Sequence, residues 1–291
     1  MLTRRQLLTG TLAASGLAVA GGHLYLNDEE MQPAPQRAGK ILADLHAHPH
    51  RDCPLEEILS MLSSPGLVGL SHIENHGNIL TYERALTLPG AKEIEPGLAQ
   101  LESSNGKNSS RGYFTRTQEI NGGVFHILAV GWDGEGYFEN YANPWKAIAE
   151  IRNRNGAVIL NHPFVTSDVN SWKKYRFIHA SEKEVLYELL GAVDEAEVFN
   201  AQCINPFGGL LVPNMKRANE MAERLVEEYA SLKGTVSSDG RLPEQVKSCG
   251  IYLEEKDFCL EKLKTDLREG NFENDFRHYA SRWSFLKGMF G

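Results

Sequence analysis

The chain reads as an α/β protein in which parallel strands alternate with outer helices. Three observations lead there. From residue 40 onward, short β-rich apolar segments alternate with segments carrying helix start and stop signals. Strand followed by helix, repeated, implies parallel strands joined by helical crossovers. A length of 291 residues with 42% hydrophobic content suits one large domain, since barrels of this class run to roughly 250 residues as a single unit.

The predicted strands are 40–46, 67–72, 113–119, 124–131, 157–161, 193–199, 234–237 and 248–253. Pro54 opens a helix over 54–63, and Asn143-Pro144 starts one that Gly156 ends. Ser181-Glu182-Lys183-Glu184 is a capping box before a helix stopped by Gly191. Helices over 214–233 and 256–269 stop at Gly234 and Gly270. There is no internal repeat, and residues 103–110 form a polar, glycine-containing loop.

The front of the chain is of another kind. Residues 1–20 combine Arg4-Arg5, a short apolar run and the small-residue ending Ala18-Val19-Ala20, the pattern of an export signal peptide. Thr3-Arg4-Arg5 before Leu7-Leu8 resembles a twin-arginine signal, which implies the twin-arginine export machinery as a partner and a periplasmic or extracytoplasmic location. The apolar run is shorter than the ~20 residues that span a bilayer comfortably, so no stable membrane span is expected after cleavage. Residues 21–38 read as a linker, leaving 39–291 as the folded domain.

The formal charge is −8; the first twenty residues hold two arginines and no acids, so the rest stands at −10. An acidic body argues against nucleic acid as a partner. The four cysteines (Cys53, Cys203, Cys249, Cys259) lack CxxC spacing, and either disulfides or buried thiols fit them.

Chemistry concentrates in the histidines. In Asp44-Leu45-His46-Ala47-His48 two imidazoles project from the same side of a strand, a ready pair of metal ligands. Glu119, His162 and Asp239 also fall at the carboxyl ends of strand segments, where ligands of parallel α/β folds gather. His126, near the start of its segment, is the exception.

Five blocks in order resemble the PHP family, named for polymerase and histidinol phosphatase. They are Asp44-Leu-His46-Ala-His48; Glu119-Ile-Asn with Phe125-His126-Ile-Leu-Ala-Val-Gly131; Ala157-Val-Ile-Leu-Asn-His162-Pro163; Glu197-Val-Phe-Asn200; and Ser238-Asp239-Gly240. The resemblance implies a distorted (β/α)7 barrel and a metal-dependent phosphoesterase acting on a small phosphorylated substrate. It implies that His46, His48 and Asp239 hold one divalent ion, and that Glu119 bridges to a second held with His126 and His162. Zn, Mn or Fe suits such mixed imidazole and carboxylate ligands.

The chain departs from the family at its usual third metal. Asp239-Gly240-Arg241 stands where Asp-x-His is usual, and the Thr-Asp-His block has only loose counterparts in His72 and His76. Two ions are therefore expected. Arg241 reads either as a phosphate-gripping guanidinium or as an ion-paired surface residue. His72 and His76 are the candidates to orient phosphate or protonate a leaving group. Asp44 is expected to orient a ligand imidazole. Glu197 and Asn200 are expected either to support the same ligands or merely to pack and cap. Two other functions stay open: hydrolysis of an amide, lactone or carboxylic ester by the same activated water, and a non-catalytic metal-binding barrel.

Overall fold

The structure is a computed structural model that describes residues 35–102, 111–167, 175–204, 215–229, 231–281, 284, 285, 287 and 288. The residues expected to form an export signal, most of the expected linker and the polar stretch 103–110 lie outside the described residues. Its strands are β1 (Lys40–Ala47), β2 (Gly66–Ile73), β3 (Ala91–Glu95), β4 (Leu98–Glu102), β5 (Arg111–Gly122), β6 (Phe125–Val130), β7 (Ala157–Asn161), β8 (Val165–Ser167), β9 (Tyr175–Phe177), β10 (Glu195–Asn200), β11 (Thr235–Ser237) and β12 (Ile251–Glu254). The helices are α1 (Leu55–Ser63), α2 (Tyr82–Ala85), α3 (Pro144–Asn153), α4 (Lys183–Leu190), α5 (Lys216–Glu228) and α6 (Leu260–Glu269).

Seven strands form a nearly closed, mostly parallel barrel in the order β1-β2-β5-β6-β7-β10-β11. The pairs β1/β2, β2/β5, β7/β10 and β10/β11 are parallel. Closure comes from the turn after β11, where Asp239 N donates to His46 O at 2.7 Å and His48 N donates to Gly240 O at 2.8 Å. The first half of β1 pairs instead with β12, antiparallel, from Lys40 to Ala43. One strand thus serves two neighbours along its length, and this distorts the barrel.

β6 departs from the parallel expectation, since it runs antiparallel to both β5 and β7. Only Gly123 and Val124 separate β5 from β6, far too few residues for a helical crossover. Gly123 takes φ 72°, the left-handed conformation that a two-residue hairpin needs. The reversal places the start of β6, and His126 with it, at the same rim as the carboxyl ends of the parallel strands. The exception noted in the sequence is a consequence of the hairpin.

The hairpin β3/β4 was not legible in the sequence. It lies on the first half of β5, pairing Leu98–Glu102 with Arg111–Thr115, while β6 takes the second half of the same edge. This explains the twelve-residue length of β5.

Helix boundaries follow local chemistry. Asn143 Oδ1 accepts from Trp145 N at 2.9 Å and Pro144 occupies the first turn of α3. Gly270, at φ 66°, ends α6 in the left-handed conformation. The cap before α4 sits earlier than the predicted Ser181, because the Glu182 carboxylate receives the N–H of His179. In α1, Glu56 and Glu57 face the positive end of the helix dipole. At its other end Lys247 Nζ donates to Met61 O (2.8 Å) and Ser64 O (2.9 Å).

Buried side chains form two clusters. The larger joins β1, β5–β7 and β10 to α3, α4, α5 and α6, and the smaller lies beneath α1 around Ile58, Met61, Leu62, Val68 and Phe114. Burial of each such α1 side chain contributes ~1.5–3 kcal/mol. At the carboxyl terminus Phe276 and Tyr279 pack on the larger cluster, with the Tyr279 ring 4.7 Å from that of Phe199. All four cysteines are free thiols.

Candidate metal centre

His46 and His48 sit at the carboxyl end of β1, and both are fully buried. The irregularity in the β1/β2 register between Asp44 and Ala47 accompanies their turn into the barrel mouth. His46 Nδ1 lies 3.0 Å from Glu197 Oε1, and His48 Nδ1 lies 2.7 Å from Ser71 O. His162 Nδ1 lies 3.0 Å from Val165 O. Carboxylate and carbonyl oxygens only accept, so in all three rings Nδ1 carries the hydrogen. In the neutral form of each ring, the form that binds a metal, Nε2 then offers its lone pair to the mouth.

Glu119, near the end of β5, receives this array. Its Oε1 is 2.6 Å from His126 Nδ1 and 3.3 Å from His162 Nε2. Its Oε2 is 3.2 Å from His48 Nε2 and 3.7 Å from His46 Nε2. Asp239 Oδ1 closes the other side, 3.8 Å from His46 Nε2 and 3.6 Å from His48 Nε2. Two groups of donors result, His46-Glu119-His162 and His46-His48-Asp239, each with its ligand atoms within 4.8 Å of one another. Both could hold a metal ion. His126 belongs to neither triad and approaches through Nδ1, unlike the other three imidazoles.

Two of these residues hold unusual backbone. His162 has φ 24° and Asp239 φ 48°, the left-handed region that non-glycine residues avoid. Such strain costs on the order of 1–3 kcal/mol and persists where the surroundings enforce it. For Asp239 the enforcing contacts come from Asp44. Its carboxylate accepts from Ser238 N at 3.0 Å, from Ser238 Oγ and from Lys247 N at 2.9 Å. Asp44 thus clamps the turn that carries Asp239. The imidazole-orienting role expected of it is filled by Glu197, which also accepts from His162 N (2.8 Å), Asn200 Nδ2 (3.1 Å) and the Ser237 hydroxyl.

The electrostatics are those of a cation site. Burial opposes charge on His46, yet the carboxylates of Asp239, Glu197 and Glu119 hold its pKa well above the ordinary imidazole value. His162 likewise overcomes burial and rises to about 9 beside Glu119 and Glu197. Burial raises the Glu119 carboxyl, but His126, His162 and His46 together draw it well below the ordinary range. Asp239 is lowered too, against its burial, by His46, His48 and Arg241. Asn161 Oδ1 is buried with no hydrogen-bond partner, while its Nδ2 lies 3.3 Å from His46 Nε2. Converging lone pairs, ionised carboxylates and an orphaned amide oxygen all fit divalent ions.

Among solved structures the chain is similar to a lesion-specific endonuclease, PfuEndoQ from Pyrococcus furiosus, with 15% sequence identity and a TM-score of 0.45. The match covers 80% of this chain but only 57% of that one. No family model and no curated protein matches. The fold rests on the strand order and barrel closure described above.

The remaining candidates lie on the rim. Arg241 lines a small cavity together with His162, Asn200 and Asp239. His72 stacks on Tyr137, with ring centroids 4.2 Å apart, and its Nδ1 is buried without a partner. Burial holds its pKa below the ordinary value. His76 is exposed on the turn after β2. Cys53 packs against the smaller core cluster and belongs to neither donor group. Sequence reasoning missed the carbonyls of Ser71 and Val165, which set two tautomers; a backbone acceptor leaves no trace in residue type. Among the described residues, no helix is long and apolar enough to cross a membrane.

Proposed function

We propose that the protein is an exported, metal-dependent phosphoesterase of the PHP family. The carrying observation is Glu119: one buried carboxylate faces His126 and His162 with one oxygen and His46 and His48 with the other. A carboxylate shared in this way offsets the repulsion of two cations, as two-metal hydrolases require. In this reading His46, His48 and Asp239 hold one ion, and His126 and His162 hold the second across Glu119.

Such ions, Zn, Mn or Fe, supply Lewis-acid pull on a phosphoryl oxygen and bring the pKa of water toward neutrality. The chain's own residues do the rest. Glu197 and the Ser71 and Val165 carbonyls fix the imidazole tautomers, which maintains ligand basicity. Arg241 offers a planar pair of donors to the remaining phosphate oxygens. His72 and His76, on the same rim, exchange protons with the substrate oxygens. The expected substrate is a small phosphorylated molecule, and the acidic charge of the chain supports this over nucleic acid.

The twin-arginine pattern at residues 3–8 supports export to the periplasm or another extracytoplasmic space, with no stable span after cleavage. The deciding experiment joins elemental analysis of purified protein to a panel of phosphate and carbonyl esters. About two equivalents of metal with phosphate release support the reading. Turnover of carboxylic esters or amides without phosphate release sinks it.

A further inference from the structure

Asn161 is the last residue of β7 and directly precedes His162. In the β6/β7 register it lies opposite His126, and directly opposed residues of neighbouring strands present their side chains on one face. The amide therefore stands on the face that carries His126 to the centre, and it is 1% exposed. An asparagine so buried needs partners for one oxygen and two N–H groups. Its Oδ1 is buried with none, and its Nδ2 lies 3.3 Å from His46 Nε2. Among the described residues, that ring nitrogen is the amide's one hydrogen-bond partner.

The distance is long for a hydrogen bond, since N–H donors usually sit about 2.7–3.2 Å from their acceptors. It suits two ligands of one ion. Atoms bound to a tetrahedral metal at about 2.0–2.2 Å stand roughly 3.3–3.6 Å from each other. The spacings around the centre cluster there: 3.3 Å from Glu119 Oε1 to His162 Nε2, 3.2 Å from Glu119 Oε2 to His48 Nε2, and 3.6 Å from Asp239 Oδ1 to His48 Nε2. The amide is thus placed from His46 as the ligand atoms are placed from one another. A metal ion on His46 takes the Nε2 lone pair, and an N–H aimed at it then has no acceptor. The terminal torsion of asparagine is soft, and a half turn exchanges its oxygen and nitrogen. With metal present, the turned amide leaves one polar group unmatched where the unturned amide leaves two.

We infer that Asn161 is a further ligand of the ion that His46 binds, to which it gives its amide oxygen. The inference rests on the metal-centre part of the proposed function and does not depend on the bond that is hydrolysed. It also bears on which metal is held. Imidazole suits Zn, whereas carbonyl-type oxygen suits Mn, so Asn161 tilts the centre toward Mn.

The test needs no substrate. Metal-free, full-length protein is titrated with Mn(II), and the free ion is read by electron paramagnetic resonance. Asn161→Ala should weaken Mn(II) binding at least ~10-fold, since loss of even an outer partner of a ligand costs about 10–100-fold. Asn161→Asp keeps an oxygen and adds charge, so it should bind Mn(II) at least as tightly as the wild type. A role as N–H donor alone predicts that Asn161→Asp loses affinity as Asn161→Ala does, and that result overturns the proposal. So does a folded Asn161→Ala with wild-type affinity. Urea unfolding tells the ligand role from a structural one. Oδ1 has no partner to lose, so metal-free Asn161→Ala should unfold at the wild-type urea concentration, and a deficit should appear only with Mn(II) present. An equal deficit with and without Mn(II) overturns the assignment. Wild-type protein that takes up neither Mn(II) nor Zn(II) removes the metal centre itself, an outcome distinct from failure of Asn161 alone, in which the wild type still binds.

Discussion

His46 and His48 direct their Nε2 atoms at each other across 3.0 Å. Both Nδ1 atoms already donate, to Glu197 and to the Ser71 carbonyl, and the carboxylates around His46 hold its ring protonated, so a His46 Nε2–H faces the lone pair of His48 Nε2. Without that proton the two lone pairs would repel unless another positive charge took its place. The fold holds this pair fully buried, with Glu119 and Asp239 adding negative charge nearby. A proton satisfies the pair here, and a divalent ion displacing it would meet the same lone pairs and the same carboxylates.

Metal should therefore stabilise the folded chain. A ligand present at a hundred times its Kd adds about 2.7 kcal/mol, which for a chain of this size raises Tm by roughly 5–10 °C. Scanning calorimetry with Mn or Zn added, and again after chelation, checks this. His46→Ala, which removes the residue common to both donor groups, should abolish the shift. A wild-type Tm indifferent to every divalent ion would contradict the assignment.

Glu197 touches no substrate in this reading, yet its removal should be felt at the centre. Its two oxygens fix His46 Nδ1, His162 N and Asn200 Nδ2. Glu197→Ala is expected to weaken metal affinity 10–100-fold, as loss of an imidazole-orienting carboxylate does elsewhere. Glu197→Gln retains an acceptor for His46 Nδ1 and should recover part of it. Titration calorimetry on both variants separates this positioning role from plain loss of folding, since a structural role alone predicts no difference in affinity between the folded variants.

The legibility of this molecule in its sequence was uneven, for physical reasons. Seven barrel strands were readable because buried parallel strands are runs of apolar residues bounded by turn formers, as in Ala157–Asn161. The β3 strand escaped because its exposed Lys92, Glu93 and Ile94 carry no inward periodicity. The direction of β6 was hidden in Gly122-Gly123, a hairpin signal overshadowed by the strand–helix rhythm around it. At the centre spacing alone pointed to the His46/His48 pair, and the other expected ligands came from the resemblance to the PHP family. The clamp by Asp44 was not legible, because its partners Ser238 and Lys247 lie about two hundred residues away and two of its three contacts are to backbone N–H groups.

Asp44 gives a test of the clamp. Asp44→Ala strands the N–H groups of Ser238 and Lys247 in a fully buried place. Each buried donor left unsatisfied costs about 1–3 kcal/mol, so the variant should lose on the order of 2–5 kcal/mol of stability. The left-handed backbone of Asp239 should relax with it. Urea denaturation measures the first effect, and a drop in metal stoichiometry from two toward one measures the second. Asp44→Ala with wild-type stability and full metal content would refute the clamp.

The pH dependence of stability should carry a signature of Glu195, which lies on β10 away from the metal ligands. Burial raises its carboxyl to about 7, although the N–H groups of Lys233 and Gly234 donate to it. In the unfolded chain the group titrates near the ordinary value of about 4.3. Below that value both states are protonated and Glu195 contributes no pH dependence. As pH rises toward 7, the unfolded chain releases its proton first and gains relative to the folded one. Stability therefore falls with rising pH across this window, by on the order of 3 kcal/mol, and the loss is complete above pH 7. Glu195→Gln keeps an acceptor for the two N–H groups and removes the titration. Urea unfolding at pH 5 and pH 8 should show the wild type losing more stability than this variant between the two pH values. Equal losses would mean that Glu195 is ionised in the folded protein, with the Lys233 and Gly234 N–H groups outweighing its burial.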